Sequence, residues 1–167
     1  MKTYDQERLH HIEYHFHGVE RWVGAKAGWT GGDGDNEGDE TVLTEYQIDA
    51  GNDTWSAAEY CVLGTLDTPF IAVNTKFDFH RLLITATEAN VIYKVRIAWG
   101  TGYAAAVGLG DFTEVCYIPS ANKVLGCPVD IMMPRIDVGT KIFMSCWADG
   151  TDTATIDFLI GLHEYNG

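Results

Sequence analysis

The sequence has no lysine or arginine between residues 27 and 75, although acidic residues occur throughout that stretch. The whole chain of 167 residues has 11 basic and 24 acidic residues, which give a formal net charge of −13. Nucleic-acid binding depends on basic contacts to phosphate, and an acidic surface also repels anionic membranes. The composition therefore argues against both partners. It leaves two readings open, an acidity that maintains solubility and a cationic protein partner.

The sequence also lacks an apolar run of the roughly 20 residues that a membrane-spanning helix needs. Residues 1–9 carry charges at Lys2, Asp5, Glu7 and Arg8 and contain no apolar segment typical of a secretory signal. We therefore expect a protein that is made and kept in the cytosol. The length suits one domain, which would bury about 70% of the surface of its unfolded chain.

Cysteine is scarce and widely spaced, at Cys61, Cys116, Cys127 and Cys146, so no Cys-x-x-Cys motif is present. Three disulfide pairings are formally possible with four cysteines. Cys116 and Cys146 fall within strand-like segments, where a buried, reduced thiol behaves as a small hydrophobic side chain. We expect the thiols to be reduced.

Catalytic signatures are missing as well. There is no Gly-x-Ser-x-Gly motif. Gly100-Thr101-Gly102 follows a strand, as in a dinucleotide fingerprint, but that strand carries Lys94 and Arg96 where a Rossmann first strand is nearly all apolar. We interpret these glycines as a turn and the start of a loop.

Two pairs of residues could act as acid and base, Asp78 with His80 and Asp152 with Asp157. Such pairs occur in any strand-rich protein, and none lies in a recognisable cleft motif. We therefore expect no enzyme activity and no cofactor.

Alternation of apolar and polar residues is the strongest positive signal. In residues 91–99 one face of an extended strand collects the side chains of Val91, Tyr93, Val95, Ile97 and Trp99. Similar patterns predict strands at residues 41–48, 70–77, 79–86, 91–99, 112–118, 129–132, 141–148 and 154–163. Turn sequences separate them. The prediction is an all-β fold, an antiparallel two-sheet sandwich, with a jelly roll preferred to an immunoglobulin-like arrangement.

One helix is predicted, over residues 3–23, from the helical spacing of Leu9, Ile12, Phe16, Val19 and Val23. An isolated helix of this length is marginal in water, so it must dock on its own sandwich or on a neighbouring subunit. The expected organisation is a helical arm at residues 1–26, a loop rich in glycine and aspartate at residues 27–40, and a β-sandwich domain at residues 41–167.

Four histidines, His10, His11, His15 and His17, crowd into the predicted arm. On a helix His11 and His15 would lie one turn apart, a spacing that lets two imidazoles share Zn²⁺. The His-Glu-x-x-His order is absent, and solvated or interface histidines are the preferred interpretation. We assign no metal site to them.

The loop that follows resembles the first half of a calcium-binding loop. Acidic residues occupy every second position, at Asp33, Asp35, Glu37 and Asp39, and Gly38 lies between the last two. The twelfth position is Thr44 and not the required glutamate, so the pattern is incomplete. Aromatic residues raise a further possibility, because exposed Trp22, Trp29 and Trp55 could stack on a sugar. Core and interface packing is the more common use of such residues.

Several segments resemble segments of small structural proteins encoded by tailed bacteriophages. They cover about a quarter of the chain and are residues 20–24 (Glu-Arg-Trp-Val-Gly), 76–84, 93–102, 130–135 and 154–165. None of them is an active-site signature. The resemblance implies a virion component assembled in the host cytoplasm, and most specifically a capsid decoration or cement protein.

That resemblance implies binding to the major capsid protein and self-association, for example as a homotrimer. The arm would supply the anchoring stripe, with Leu9, Ile12, Phe16 and Trp22 as the interface residues. Packing of the same stripe within the chain is the competing interpretation. A fibre module that binds a glycan or receptor, and a head-tail connector protein, remain alternatives.

Overall fold

A computed structural model describes residues 19–32, 37–39, 41, 43–56, 59–65, 74–119, 128–150 and 154–166. These residues form eleven strands and one short helix, joined in a single mixed sheet network. The prediction of an all-β fold is confirmed. Among the described residues, no helix is long and apolar enough to cross a membrane.

The strands follow the chain in this order: β1 (Val19–Ala25), β2 (Gly38–Asp39), β3 (Tyr46–Asn52), β4 (Tyr60–Leu63), β5 (Asn74–Thr87), β6 (Tyr93–Gly100), β7 (Phe112–Tyr117), β8 (Pro128–Asp130), β9 (Ile136–Asp137), β10 (Lys141–Ala148) and β11 (Thr155–Asn166). Helix α1 (Tyr103–Leu109) lies between β6 and β7. The predicted strand at residues 141–148 coincides with β10.

Strand β11 is the centre of the first ladder. One of its edges pairs with β5 along most of its length, and the other edge pairs with β1 and β3 in turn. Strands β8 and β9 continue this ladder on the far edge of β5. The long partners explain the length of β11, because every residue from Ile156 to Asn166 lies opposite or beside a residue of β5.

The second ladder is centred on β10, which pairs antiparallel with β6 and β4. Strand β7 extends it beyond β6. Strand β3 belongs to both ladders, since Tyr46–Asp49 face β11 and Ala50–Asn52 face β10. The β3–β10 pair is parallel, so the purely antiparallel pairing expected from the sequence is wrong at this point. The jelly-roll topology stays a prediction.

Alternating side chains from both ladders form one hydrophobic cluster. The first ladder contributes Phe77, Phe79, Phe158 and Ile160, among others, and the second contributes Ile97, Ile142 and Met144. Tyr46, at the shared strand, is fully buried, stacks on Phe158 and donates a hydrogen bond from its hydroxyl to the Val62 carbonyl at 2.6 Å. The shared strand and this cluster join the two ladders into one folded unit.

The described end of the predicted helix is a strand. Residues 19–23 pair with residues 160–164 of β11 in an antiparallel register, so they belong to the first ladder. Val23, which the helical prediction placed on the apolar stripe, is fully buried and belongs to the hydrophobic core. Pairing with a strand far along the chain therefore overrides the local helical spacing. Residues 1–18 lie outside the described residues.

Two further expectations need correction. The glycines at 100–102 lead into helix α1 and not into a loop, because the run of three alanines after Tyr103 favours a helix. β7 then returns antiparallel to β6, which agrees with the rejection of a dinucleotide-binding fold from the sequence. The predicted break at residue 78 does not exist, since Asn74–Thr87 is one strand.

Candidate metal centre

Two adjacent strands bring an aspartate and two histidines together. Asp78 on β5 lies directly opposite His163 on β11. Phe79 pairs with Leu162 and Arg81 with Gly161, so His80 is an extra residue on β5 at a β-bulge. Bulges bend a strand and redirect side chains, and they are common beside functional sites. The bulge accounts for the position of His80 beside the Asp78–His163 pair.

The three side chains present their ligand atoms to one another. One nitrogen from each histidine and one carboxylate oxygen of Asp78 lie within 4.8 Å of one another. The His80 and His163 rings stack with centroids 3.8 Å apart and planes inclined by 19°. His163 is buried, with 7% of its surface exposed, whereas Asp78 and His80 are half-buried. We call Asp78, His80 and His163 the Asp-His-His cluster.

A second sphere of contacts orients the aspartate. The Tyr165 hydroxyl donates a hydrogen bond to Asp78 Oδ2 at 2.6 Å, and the guanidinium of Arg135 lies 3.8 Å from the centre of the Tyr165 ring. Burial raises the pKa of Tyr165 well above its ordinary value, and the hydrogen bond to Asp78 adds to this effect. Tyr165 therefore remains a hydrogen-bond donor at any physiological pH.

The cluster opens on a cavity of about 550 Å³ between β5 and the segment that follows β8. Polar residues on its wall include Asp78, His80, Arg81, Asp130 and Arg135. Arg81 and Asp130 form an ion pair at 3.1 Å, which joins β5 to β8 at the rim. Asp78 and His80 thus face a space in which water or a small ligand can approach them.

The side of β11 that faces away from His163 carries a buried ion pair. Glu164 is buried and forms an ion pair with Arg21 of β1, on the side of the strand that also carries Leu162.

On the other side of β11, Trp22 lies opposite Gly161, and a Cβ built on Gly161 would come within 3.4 Å of the indole ring. The absence of a side chain at Gly161 lets Trp22 lie close to β11, on the same side as His163.

Most of the metal-binding residues considered from the sequence lie outside the described residues. His10, His11, His15 and His17 lie outside the described residues, as do Asp33 and Asp35 of the calcium-like pattern. Gly38, which that pattern needs at a sharp bend, lies in β2 and pairs with Ala25. Asp39 Oδ1 accepts hydrogen bonds from the backbone and hydroxyl of Thr41.

Sequence reasoning noted Asp78 with His80 but missed His163. Residues two apart on a strand share a face, so the Asp-x-His spacing was a usable signal. The run Leu162-His163-Glu164-Tyr165 placed polar residues inside a strand whose earlier part is apolar, which was a second signal. The β5–β11 register that joins the two could not be obtained from the sequence.

Among the predicted interface residues, Leu9, Ile12 and Phe16 lie outside the described residues. Trp22 is half-buried. Because it lies in strand β1, it does not belong to a helical stripe with Phe16. Its role in an interface stays a prediction.

The other tryptophans named from the sequence are also half-buried. The face of Trp55 is covered by the Arg96 guanidinium, 4.0 Å from the ring centre. Trp29 packs edge-on against Tyr46 and borders a cavity of about 390 Å³ with Glu45, Gln47 and Asp49.

The cysteine expectations hold in part. Cys61, Cys116 and Cys146 are free thiols. Cys61 and Cys146 are buried, and burial raises the pKa of Cys146 to about 12. Cys116 is exposed on β7, so the expectation that it is buried is wrong.

Two imidazoles and one carboxylate form a donor set that suits first-row transition metals better than Ca²⁺ or Mg²⁺, which prefer oxygen ligands. Three protein ligands beside an open cavity also leave coordination positions for water.

Comparisons of the chain with protein-family models, curated proteins and solved structures found no match.

Proposed function

We propose that this chain is a non-enzymatic structural protein of a tailed-phage virion, and that it decorates the capsid by binding the major capsid protein. The observation that carries the proposal is the position of β1. It attaches whatever precedes Val19 to the central strand of the first ladder. A segment attached in this way is suited to act as an arm that holds a neighbouring subunit.

The direction of β1 supports a mechanical role. Strand β1 runs antiparallel to β11, with Val19 opposite Glu164. Tension on residues 1–18 along the strand would act on all the hydrogen bonds of the β1–β11 ladder together. Bonds that share a load in this way resist it better than bonds that open one after another. The buried Arg21–Glu164 ion pair adds to the resistance.

The size of the interface required is modest. A typical specific interface buries about 800 Å² per partner, and many copies on a lattice add avidity without stronger individual contacts. Leu9, Ile12 and Phe16 are the anchors that we propose for the arm, because apolar and aromatic side chains dominate interface energies. The net charge of −13 favours a capsid surface with basic residues at the binding site.

The test is co-sedimentation of the purified chain with capsid particles that lack it. A variant without residues 1–18 keeps β1 intact, whereas a deletion reaching residue 23 would remove most of a strand of the sheet. We expect the shorter deletion to leave a folded chain, by circular dichroism and melting temperature, that no longer binds. A folded chain that still binds at wild-type affinity contradicts the arm.

A triple substitution of Leu9, Ile12 and Phe16 by serine sharpens this test. Its matched control is Leu109→Ser, which removes an apolar side chain that is 79% exposed on helix α1. The triple variant should lose binding and the control should retain it. Electron cryo-microscopy of the particle would then place the chain: copies across the lattice support decoration, whereas a ring at the neck identifies a head-tail connector.

A glycan-binding fibre module is the second candidate, and the cavity beside Trp29 favours it. Its wall combines the indole of Trp29 with Asp49, whose carboxylate accepts a hydrogen bond from Tyr60 at 3.0 Å, and with Gln47. An aromatic face beside amide and carboxylate groups is a common arrangement for binding sugars. A glycan array discriminates between the candidates, because saccharide binding that is lost in Trp29→Ala supports the fibre module.

A further inference from the structure

We propose that Asp78, His80 and His163 bind a divalent first-row transition-metal ion, with Zn²⁺ as the reference ion. This inference does not depend on the proposed virion role. It rests on the convergence of three ligand atoms within 4.8 Å of one another, contributed by two paired strands and a β-bulge.

The ligand atoms lie near the separations found in a bound site. Zinc binds nitrogen at about 2.0–2.1 Å and carboxylate oxygen at about 2.0–2.2 Å, so two ligands of one tetrahedral ion lie about 3.3–3.5 Å apart. Ligand atoms up to 4.8 Å apart must therefore approach one another by as much as about 1.5 Å. Asp78 and His80 are half-buried and face the cavity, so they can make that shift without disturbing the core.

The two rings must turn to share an ion. An imidazole nitrogen binds a metal along a lone pair in the plane of its ring, and the His80 and His163 rings are nearly parallel, with centroids 3.8 Å apart. His80 is half-buried and borders the cavity, so its ring has space to turn toward the ion. The Asp78 carboxylate supplies the negative charge that a divalent ion needs beside two neutral ligands.

The surroundings supply outer contacts that metal sites commonly have. Ligating carboxylates are usually held by hydrogen bonds from a second residue, and Tyr165 provides this for Asp78. The cavity of about 550 Å³ gives access for the ion and leaves room for coordinating water. With three protein ligands, the ion would keep at least one position for solvent or a small anionic ligand.

Binding would cross-link β5 and β11 near the end of the ladder where β1 begins. Glu20 of β1 pairs with His163, so the ion would lie one strand away from the segment that leads into the chain start. The expected effect is a stiffer attachment of β1, in addition to any chemistry of the bound ion.

The experiment uses the full chain in which His10, His11, His15 and His17 are all replaced by glutamine. The sequence has six histidines, so this background leaves only His80 and His163. After removal of metal by EDTA, Co²⁺ is titrated and followed by its visible absorption, and Zn²⁺ is titrated by calorimetry. We expect one equivalent of each ion to bind, with Co²⁺ bands typical of mixed nitrogen and oxygen coordination.

Three further substitutions in that background test the ligands. Asp78→Asn and His80→Gln preserve much of the side-chain shape at half-buried positions, and we expect each to weaken Zn²⁺ binding by at least about 100-fold, more than the loss of an outer contact. His163→Gln tests the buried ligand, and its fold is checked by circular dichroism. The matched control is Asp130→Asn, which changes a carboxylate on the cavity wall outside the cluster.

The outcomes are distinct. Stoichiometric binding that is lost in the Asp78 and His80 variants but retained in the Asp130 variant supports the site. No binding below millimolar concentration in the background variant overturns it. Binding that survives both the Asp78 and His80 substitutions also overturns it, because the ion would then be held elsewhere. If His163→Gln fails to fold, the Asp78 and His80 variants still decide the result.

Discussion

Arg21 on β1 forms an ion pair with Glu164 on β11, and the Glu164 side chain is fully buried while that of Arg21 is 27% exposed. Arg21 pairs across the ladder with Leu162, so the ion pair runs diagonally between the first and last described strands. A buried carboxylate is costly unless a cation remains beside it. Docking of β1 is therefore what allows Glu164 to be buried.

Removing only the cation should be strongly destabilising. We expect Arg21→Met to lower the free energy of unfolding by about 3 kcal/mol, because it leaves the Glu164 charge buried. The double variant Arg21→Met with Glu164→Leu should recover most of that loss. The control is Lys76→Met, which breaks the exposed Lys76–Asp137 pair and should cost less than about 1 kcal/mol. Equal losses in urea titrations of the two single variants would contradict the account.

Two glycines should respond to alanine with opposite signs. A Cβ on Gly24 would lie 2.3 Å from the Thr44 carbonyl oxygen, so Gly24→Ala should cost about 1–3 kcal/mol by forcing β1 away from its neighbour. Gly108, in helix α1, has no atom within 4 Å of that position. Gly108→Ala should therefore stabilise the protein by about 0.5–1 kcal/mol. Thermal unfolding of both variants is the measurement, and the same sign for both is the contradictory result.

Stability should fall at alkaline pH. Burial raises the pKa of Tyr165, and it raises the pKa of Cys146 from 9.0 to about 12. The unfolded chain releases these protons at a lower pH than the folded chain, so their contribution is complete below about pH 9 and is lost as the pH rises further.

Urea titrations between about pH 8 and pH 11 test this. We expect the free energy of unfolding to be nearly constant up to about pH 9 and to decline above it, with a shallower decline in Tyr165→Phe, because that variant has one fewer group to deprotonate. A wild-type slope in Tyr165→Phe would show that Tyr165 does not contribute to the decline.

The thiols should differ sharply in reactivity. Cys116 is exposed, whereas Cys146 is buried and its pKa is about 12. Since the thiolate is the reactive form, we expect N-ethylmaleimide to modify Cys116 at least about 100-fold faster than Cys146 in the folded protein at pH 7.5. Peptide mass spectrometry over a time course gives both rates. Comparable rates for the two cysteines would mean that β10 is not packed as described.

Metal binding should raise thermal stability. An ion that binds only the folded state at a free concentration 100 times its Kd contributes about 2.7 kcal/mol, which corresponds to a Tm increase of about 5–11 °C for a protein of this size. We expect this increase with Zn²⁺ in the variant that lacks the four N-terminal histidines. Adding Asp78→Asn should abolish it. An increase of the same size after that substitution would place the ion elsewhere.

The sequence was informative where local pattern and burial agree. In residues 93–97 of β6 every second side chain is buried, as the alternating pattern predicts. Residues 141–148 form β10 with the predicted bounds, but burial along this strand is nearly continuous and does not alternate. Helical spacing at Val19 and Val23 was misleading, because pairing with residues 160–164 decides the structure there. The parallel β3–β10 pair and the sharing of β3 between two ladders depend on contacts between distant segments, which no local pattern encodes.

For the same reason, only part of the candidate site could be predicted from the sequence. The Asp78-x-His80 spacing put two ligand types on one face of a strand, but such pairs are common. What makes this pair distinctive is His163, which the β5–β11 register places opposite Asp78, and the bulge that positions His80. Neither the register nor the bulge is marked by glycine or proline in β5.

The most direct test of the metal centre is a crystal structure of the variant without the four N-terminal histidines, grown with Zn²⁺ and measured at the zinc absorption edge. The account predicts an anomalous peak about 2.0–2.2 Å from one nitrogen each of His80 and His163 and from a carboxylate oxygen of Asp78. A cluster without a peak in crystals that hold zinc elsewhere would contradict it.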